Sequence, residues 1–237
     1  NDEFAQKIIN TLSNEKVNTA NVIQTNGQQS SFSTIINHKG ERTIFSEHVK
    51  RSHNFNFDNV STKWVYLTSI GEDWKNAYQK TVDFVKRTNS LLAFNPGTLQ
   101  INGDMKDIKN VLFQTNVLFV NKEEAQALLK NSDQNMQTIL KKLQKHGPKI
   151  IAITDGKDGS YSIDEKGNII KGKIFEAKVV EKTGAGDSYS CGFLGAIIQG
   201  KSIQESMTWG SLNSASVIEK VGSQAGLLYK ADFDRYK

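Results

Sequence analysis

The chain has a single cysteine, Cys191, among 237 residues. No internal disulfide can form, and no C-x-x-C pair or neighbouring histidine suggests metal or redox chemistry. Cys191 is expected to be a small core residue in a reducing compartment. No apolar run approaches bilayer-spanning length. The opening "NDEFAQKIIN" has neither a basic leader nor an apolar one, so no secretory signal is read there. It also has no methionine, and the expectation is a cytoplasmic chain whose natural start lies upstream. There is no internal repeat and no low-complexity linker. Lysines are abundant but form no run, so the net charge of +5 (30 basic minus 25 acidic residues) does not argue for nucleic-acid binding. It suits handling of anionic phosphates. G-x-x-x-x-G-K-[ST] is absent, and no G-x-G-x-x-G opens a helix near the front, which disfavours Walker-type ATPases and Rossmann dehydrogenases.

What is present is a regular alternation. Phe4, Ile8, Ile9 and Leu12 share one face of an opening amphipathic helix. "SSFSTIIN" and "RTIFS", joined by "HKGE", read as a hairpin. Residues 47–62 are polar and irregular. Strands are then expected at "KWVYLTS", "SLLAFN", "NVLFVN" and "KIIAIT", with helices near Trp74–Lys86, Asp104–Phe113, 122–130 and 134–145. A β-hairpin region follows over 159–180, and helices close the pattern near 186–199 and 203–219. Strands alternating with helices predict a mostly parallel sheet covered on both faces, and apolar runs such as "VLFV" and "IIAI" fit strands buried on both sides. The length suits one α/β domain with a small β appendage.

Four motifs carry candidate chemistry. In "EKTGAGD", Gly184 and Gly186 flank Ala185 directly ahead of a helix. Glycines admit close backbone approach, and a helix N-terminus offers unpaired N–H groups and the positive end of its dipole. Asp187 in that first turn is suited to accept a hydroxyl proton. A plain turn with an aspartate cap explains the same letters equally well. In "NKEEA", Asn121 and Glu124 are three apart at a strand end, where open α/β sheets bind ligands. Glu124 suits the hydration shell of Mg²⁺, although a capped, solvated helix start is the plainer reading. "TDGKDG" places Thr154, Gly156 and Gly159 at another strand end, as a tight turn or a nucleotide-pocket lip. "WGSLNSAS" puts small residues and Asn213 on one helix face, for helix packing or for a flat ring.

With these motifs in this order, the sequence resembles the ribokinase-like carbohydrate kinases, the PfkB family. The family signature D-T-x-G-A-G-D corresponds to Glu181–Asp187, its N-x-x-E to Asn121–Glu124, and its T-x-G-x-x-G to Thr154–Gly159. "NPG" at 95–97 and "GERTIF" at 40–45 also match. The resemblance implies a three-layer α/β/α fold with a mostly parallel central sheet. It also implies a small β lid near residues 30–50, and a single domain over 1–237 that lacks its first strand. It implies ATP-dependent phosphorylation of a sugar or nucleoside-like alcohol. Asp187 would be the base and the amides of Gly184, Ala185 and Gly186 the anion hole. Asn121 and Glu124 would serve phosphates and Mg²⁺, and Thr154, Gly156, Gly159 and Asn213 the nucleotide. A homodimer through the lid strands is expected, and neither nucleic acid nor a membrane as partner. The sequence departs from the family at Glu181 and Lys182, where the family has Asp-Thr. That aspartate often helps hold a monovalent cation. The same departure favours the alternative class, a binding module that keeps the fold without catalysis.

Overall fold

The computed structural model describes residues 1–38, 41–47 and 49–236. Helix α1 (Glu3–Asn14) begins at Asp2, whose carboxylate accepts the Ala5 N–H at 2.8 Å. Strands β1 (Phe32–His38) and β2 (Glu41–Glu47) pair antiparallel as a separate two-stranded sheet. The expected turn between them falls on residues 39 and 40, outside the described residues. The main sheet follows the order β3 (Trp64–Thr68), β4 (Leu91–Asn95), β5 (Thr115–Asn121), β6 (Ile150–Thr154), β7 (Ser160–Ile163) and β8 (Ile169–Lys171). The first four strands are parallel; β7 pairs antiparallel with β6, and β8 antiparallel with β7.

The helices lie on both faces of this sheet, as the buried strands require. On one side, α2 (Trp74–Thr88), α4 (Met105–Gln114), α5 (Lys122–Leu129) and α6 (Met136–Gln144) bury Tyr78, Ile108, Leu128 and Leu140 against Leu92, Phe94 and Leu118. Between β4 and α4 lies α3 (Thr98–Ile101), one turn closed by the Gln100 side chain accepting the Gly97 N–H at 3.1 Å. On the other side, α7 (Ala185–Ile198) sets Tyr189, Phe193 and Leu194 on Ala93, Val117 and Phe119. Phe193 is fully buried and meets Phe119 edge-to-face with ring centroids 5.4 Å apart. Truncating such a core phenylalanine to alanine costs about 3–5 kcal/mol.

The small-residue face of α8 (Ile203–Ile218) is a packing face. A Cβ on Gly210 would lie 2.9 Å from the Tyr189 carbonyl, and one on Gly192 2.7 Å from that of Trp209. Two helix backbones meet there with no room for a ring between them. Near the end of the chain, α9 (Lys230–Phe233) stacks Phe233 on Trp209 at 4.3 Å.

Three expectations differ from the fold. The hairpin region ends as a strand at Lys171, because Gly172 donates the last bond to the Ser160 carbonyl and turns away. The irregular stretch before β3 is less polar in effect than in composition: Phe55, Phe57 and Val60 pack on the core, and Phe57 stacks on Phe84 at 4.5 Å. Cys191 is exposed on α7, not in the core. It stands four residues after Asp187, hence on the same helix face.

Candidate active site

The C-terminal ends of β4, β5 and β6 meet the N-terminus of α7. Parallel strands in register bring this about: Leu118 pairs with Ile151 and, at the strand ends, Asn121 with Thr154. A cavity of about 100 Å³ lies there, lined by Asn95, Asn121, Glu124, Thr154, Gly186 and Asp187, with apolar walls from Phe119 and Val120. Ligand sites of open α/β sheets form at this position.

Gly184 makes the turn into α7. Its φ of +81° is a left-handed conformation, and a Cβ would come within 2.5 Å of the Ser223 Cβ. Only glycine fits on both counts. The first i→i−4 bond of the helix runs from the Ser188 N–H to the Gly184 carbonyl at 2.8 Å. The amides of Gly186 and Asp187 therefore precede the helix ladder, at the positive end of the dipole. The Ala185 N–H, expected in the anion hole, turns back to the Lys182 carbonyl at a long 3.3 Å. The loop is backed by Glu181, only 6% exposed, whose carboxylate accepts the Gly222 N–H at 2.8 Å. Just upstream, the Asn37 amide of β1 donates to the Val180 carbonyl at 3.3 Å, which ties the two-stranded sheet to the segment leading into this loop.

Across the cavity, Asn121 and Glu124 form a capping box. Asn121 Oδ1 accepts the Glu124 N–H, and Glu124 Oε2 accepts the Asn121 N–H, both at 2.8 Å. Burial pushes the Glu124 carboxyl above its ordinary range. The Asn121 hydrogen bond opposes this shift, and the negative charges of Glu123 and Asp187 add to it. Glu124 and Asp187 thus feel one another across the cavity, an arrangement that a divalent cation relieves. Among the described residues no group of three or more His, Cys, Asp or Glu gathers to hold a metal. The residues present fit a cation carried mainly by water and substrate phosphates, with one carboxylate beside it.

The residues expected on the nucleotide side fall in different places. Thr154 lines the cavity. Gly156 (φ +51°) and Gly159 (φ +92°) shape the tight loop beyond it, closed by the Asp155 N–H on the Gly159 carbonyl at 2.8 Å. Asn213 is buried, with 2% exposure. Its amide donates to the Ser188 carbonyl at 2.8 Å and accepts the Leu228 N–H at 2.9 Å. Both ends of its side chain are thereby engaged in tying α7 and α8 to the following loop.

Tyr66 escapes the motif-based reading, and Asn95, matched there within "NPG", is given no role by it. On β3, Val65 and Leu67 pack toward α2, whereas Trp64 packs toward α7. Tyr66 therefore faces α7 and meets Phe119 edge-to-face at 6.4 Å. Its hydroxyl lies against Ser190 and near Asp187 and Cys191. Although Tyr66 is 41% exposed, burial of its hydroxyl end first, then the Asp187 carboxylate and, once ionised at high pH, the Cys191 thiol, push it up to about 12, against the Ser190 hydrogen bond. Asn95 donates to the Phe119 carbonyl at 2.9 Å, which fixes it at the cavity rim. The alternation of β3 was readable in sequence; which of its faces meets the site was not.

Fold and site together define a carbohydrate-kinase type of α/β protein with a small antiparallel lid sheet. The chain belongs to the pfkB family of carbohydrate kinases, whose pattern it matches over residues 1–229. It is 25% identical to an uncharacterized sugar kinase of Archaeoglobus fulgidus, across 98% of this chain and 93% of that one. It is 34% identical to a 5-dehydro-2-deoxygluconokinase of Halalkalibacterium halodurans, but over only 46% of this chain and 34% of that protein. In structure it resembles a Vibrio cholerae fructokinase bound to fructose, ADP and calcium (TM-score 0.82, 16% identity, all of this chain and 82% of the other). It also resembles the Thermotoga maritima ribokinase (TM-score 0.81, 17% identity, all of this chain and 78% of the other).

Proposed function

We propose that this chain transfers the γ-phosphoryl group of ATP to a hydroxyl of a sugar, sugar-acid or nucleoside-like acceptor in the cytoplasm. The observation that carries this reading is Asp187 in the first turn of α7, between the glycine turn and the Asn121–Glu124 box. Asp187 takes the proton of the acceptor hydroxyl. The acceptor oxygen bonds to the γ-phosphorus, the bond from that phosphorus to the bridging oxygen breaks, and ADP leaves with the electron pair. The N-terminal amides of α7 hold the charge on the transferring group, which in phosphoryl transfer is most of the protein's task. Glu124 and Asn121 would hold Mg²⁺ and its waters; the ion supplies charge neutralisation on the phosphates.

Thr154 and the Gly156–Gly159 loop form the nucleotide side, with Asn213 holding α7 and α8 behind it. Tyr66 stands on the acceptor side. The β1–β2 sheet acts as a lid, and a dimer through its strands is part of this reading. Glu181 supports the glycine loop; replacing potassium by a bulky organic cation tests whether a monovalent ion assists it.

The decisive experiment measures ATP consumption with ribose, fructose, 5-dehydro-2-deoxygluconate and adenosine as acceptors, for the wild type and Asp187→Asn. Turnover with at least one acceptor, reduced about 10²–10⁴-fold in the variant, is expected for loss of a general base. Equal rates in the two proteins remove Asp187 as the base. No acceptor-dependent turnover in the wild type favours the binding-module alternative.

A further inference from the structure

Lys122 and Asp155 are the residues that directly follow Asn121 and Thr154, the last register pair of β5 and β6. At this point the two chains part. Residue 122 opens α5, and residue 155 opens the tight loop closed by its own bonds, Asp155 N–H to Gly159 and Asp158 N–H to Asp155, at 2.8 and 2.9 Å. Across the gap, Lys122 Nζ donates to Asp155 Oδ2 at 3.1 Å, with side chains only 20% and 15% exposed. A desolvated pair of this kind couples more strongly than a surface ion pair, and loss of either partner strands the other charge.

We propose that the Lys122–Asp155 ion pair is a positioning clip. It carries the sheet register one step beyond the ladder and so sets the distance between the Asn121–Glu124 box and the Thr154–Gly159 loop. This inference rests on the reading of those two segments as the phosphate and nucleotide sides of the site. Neither residue of the pair lines the cavity of the candidate site. The pair forms part of the wall of a separate open cavity of about 480 Å³, with Gln134, Asn135, Tyr161 and Lys171. Its effect on the site therefore passes through the backbones of residues 121 and 154. Its signature is nucleotide affinity, with little change in the chemical step.

The test is calorimetric titration of the full chain with Mg-ADP, together with KM for ATP and for the best acceptor. The variants are Lys122→Met, Asp155→Asn, the double variant and Lys122→Arg. Each single neutral variant is expected to weaken ADP binding about tenfold, with the double variant no worse than either single one, because coupled partners are not additive. Acceptor KM and kcat should stay within about threefold, and Lys122→Arg, which keeps the charge, should bind nearly as the wild type. If a single neutral variant does not fold, Lys122→Arg and the double variant decide the matter by the same comparison. Four results overturn the clip: unchanged ADP affinity, fully additive losses, equal shifts in nucleotide and acceptor KM, or a loss confined to Lys122→Met. The last would make Lys122 a direct phosphate ligand. A wild type that binds no nucleotide overturns the reading of the site itself, and the clip with it.

Discussion

Asn121 and Glu124 cap each other. Each side chain accepts the other residue's backbone N–H at 2.8 Å. The helix start and the carboxylate beside the cavity are therefore one unit, in which a structural cap and a candidate ion site use the same two residues. The cap of the plainer reading of "NKEE" is present, although Glu124 is half-buried and not solvated; the ion-site reading is the one proposed above.

This double use leads to a pH-dependent prediction. Burial raises the Glu124 carboxyl above 4.5 in the fold. Such a group stabilises the fold fully below its unfolded value, and that contribution is lost as pH rises through the folded value. Above that window the charged Glu124 destabilises the fold, and a bound Mg²⁺ would relieve this. Glu124→Gln should keep the cap, melt at or above the wild-type temperature without metal, and lose most of the stabilisation by MgCl₂. Thermal unfolding with and without MgCl₂, at pH 5 and pH 7.5, checks this. Equal magnesium shifts in both proteins would remove Glu124 from the ion site.

Tyr66 is a neutral phenol through the physiological range, as its ordinary value of 10 already ensures, and burial only pushes it further up, to about 12. Its removal should therefore act as the loss of a hydrogen bond at every neutral pH. Tyr66→Phe is expected to lower acceptor kcat/KM about three- to tenfold, the worth of one net hydrogen bond, with ATP KM unchanged. Steady-state kinetics with both substrates varied measures it; a change in ATP KM alone would place Tyr66 off the acceptor side.

Gly184→Ala meets two obstacles at once, the left-handed φ of +81° and the Ser223 Cβ at 2.5 Å. A loss of about 2–4 kcal/mol in denaturant unfolding, with turnover abolished, is expected. Adding Ser223→Gly should restore part of the stability, because it removes the closer of the clashes but not the backbone strain. Full recovery would show that φ at this position is not constrained.

Asn213→Ala leaves the Ser188 carbonyl and the Leu228 N–H without their buried partner. An unsatisfied buried polar group costs about 1–3 kcal/mol, so a drop of about 2–5 kcal/mol in stability should dominate any direct effect on ATP binding. A variant of native stability with weakened nucleotide binding would put Asn213 in contact with the ligand instead.

Most of the main sheet was legible because its strands are short apolar runs bounded by polar turns, and its helices carry a 3.6-residue period. The elements missed were α3 and α9. Each is a single turn, too short to show a period, and is held by side-chain caps. Cys191 was misplaced for a related reason. α7 is apolar nearly all round, so its sequence does not reveal which stripe faces the sheet and which faces the site.

The sequence by itself determined the order of the elements, the glycine turn ahead of Asp187 and the strand-end positions of Asn121 and Thr154. These follow from local rules: side-chain period, helix-terminus chemistry and the conformational range of glycine. Only the tertiary structure decided which residues face one another. It set Tyr66 beside Ser190 and near Asp187, drew both ends of the Asn213 side chain into packing, and joined Lys122 to Asp155. Those contacts join residues 15 to 124 positions apart in the chain. They depend on strand register and on the approach of α7 to the sheet, and no local pattern encodes either.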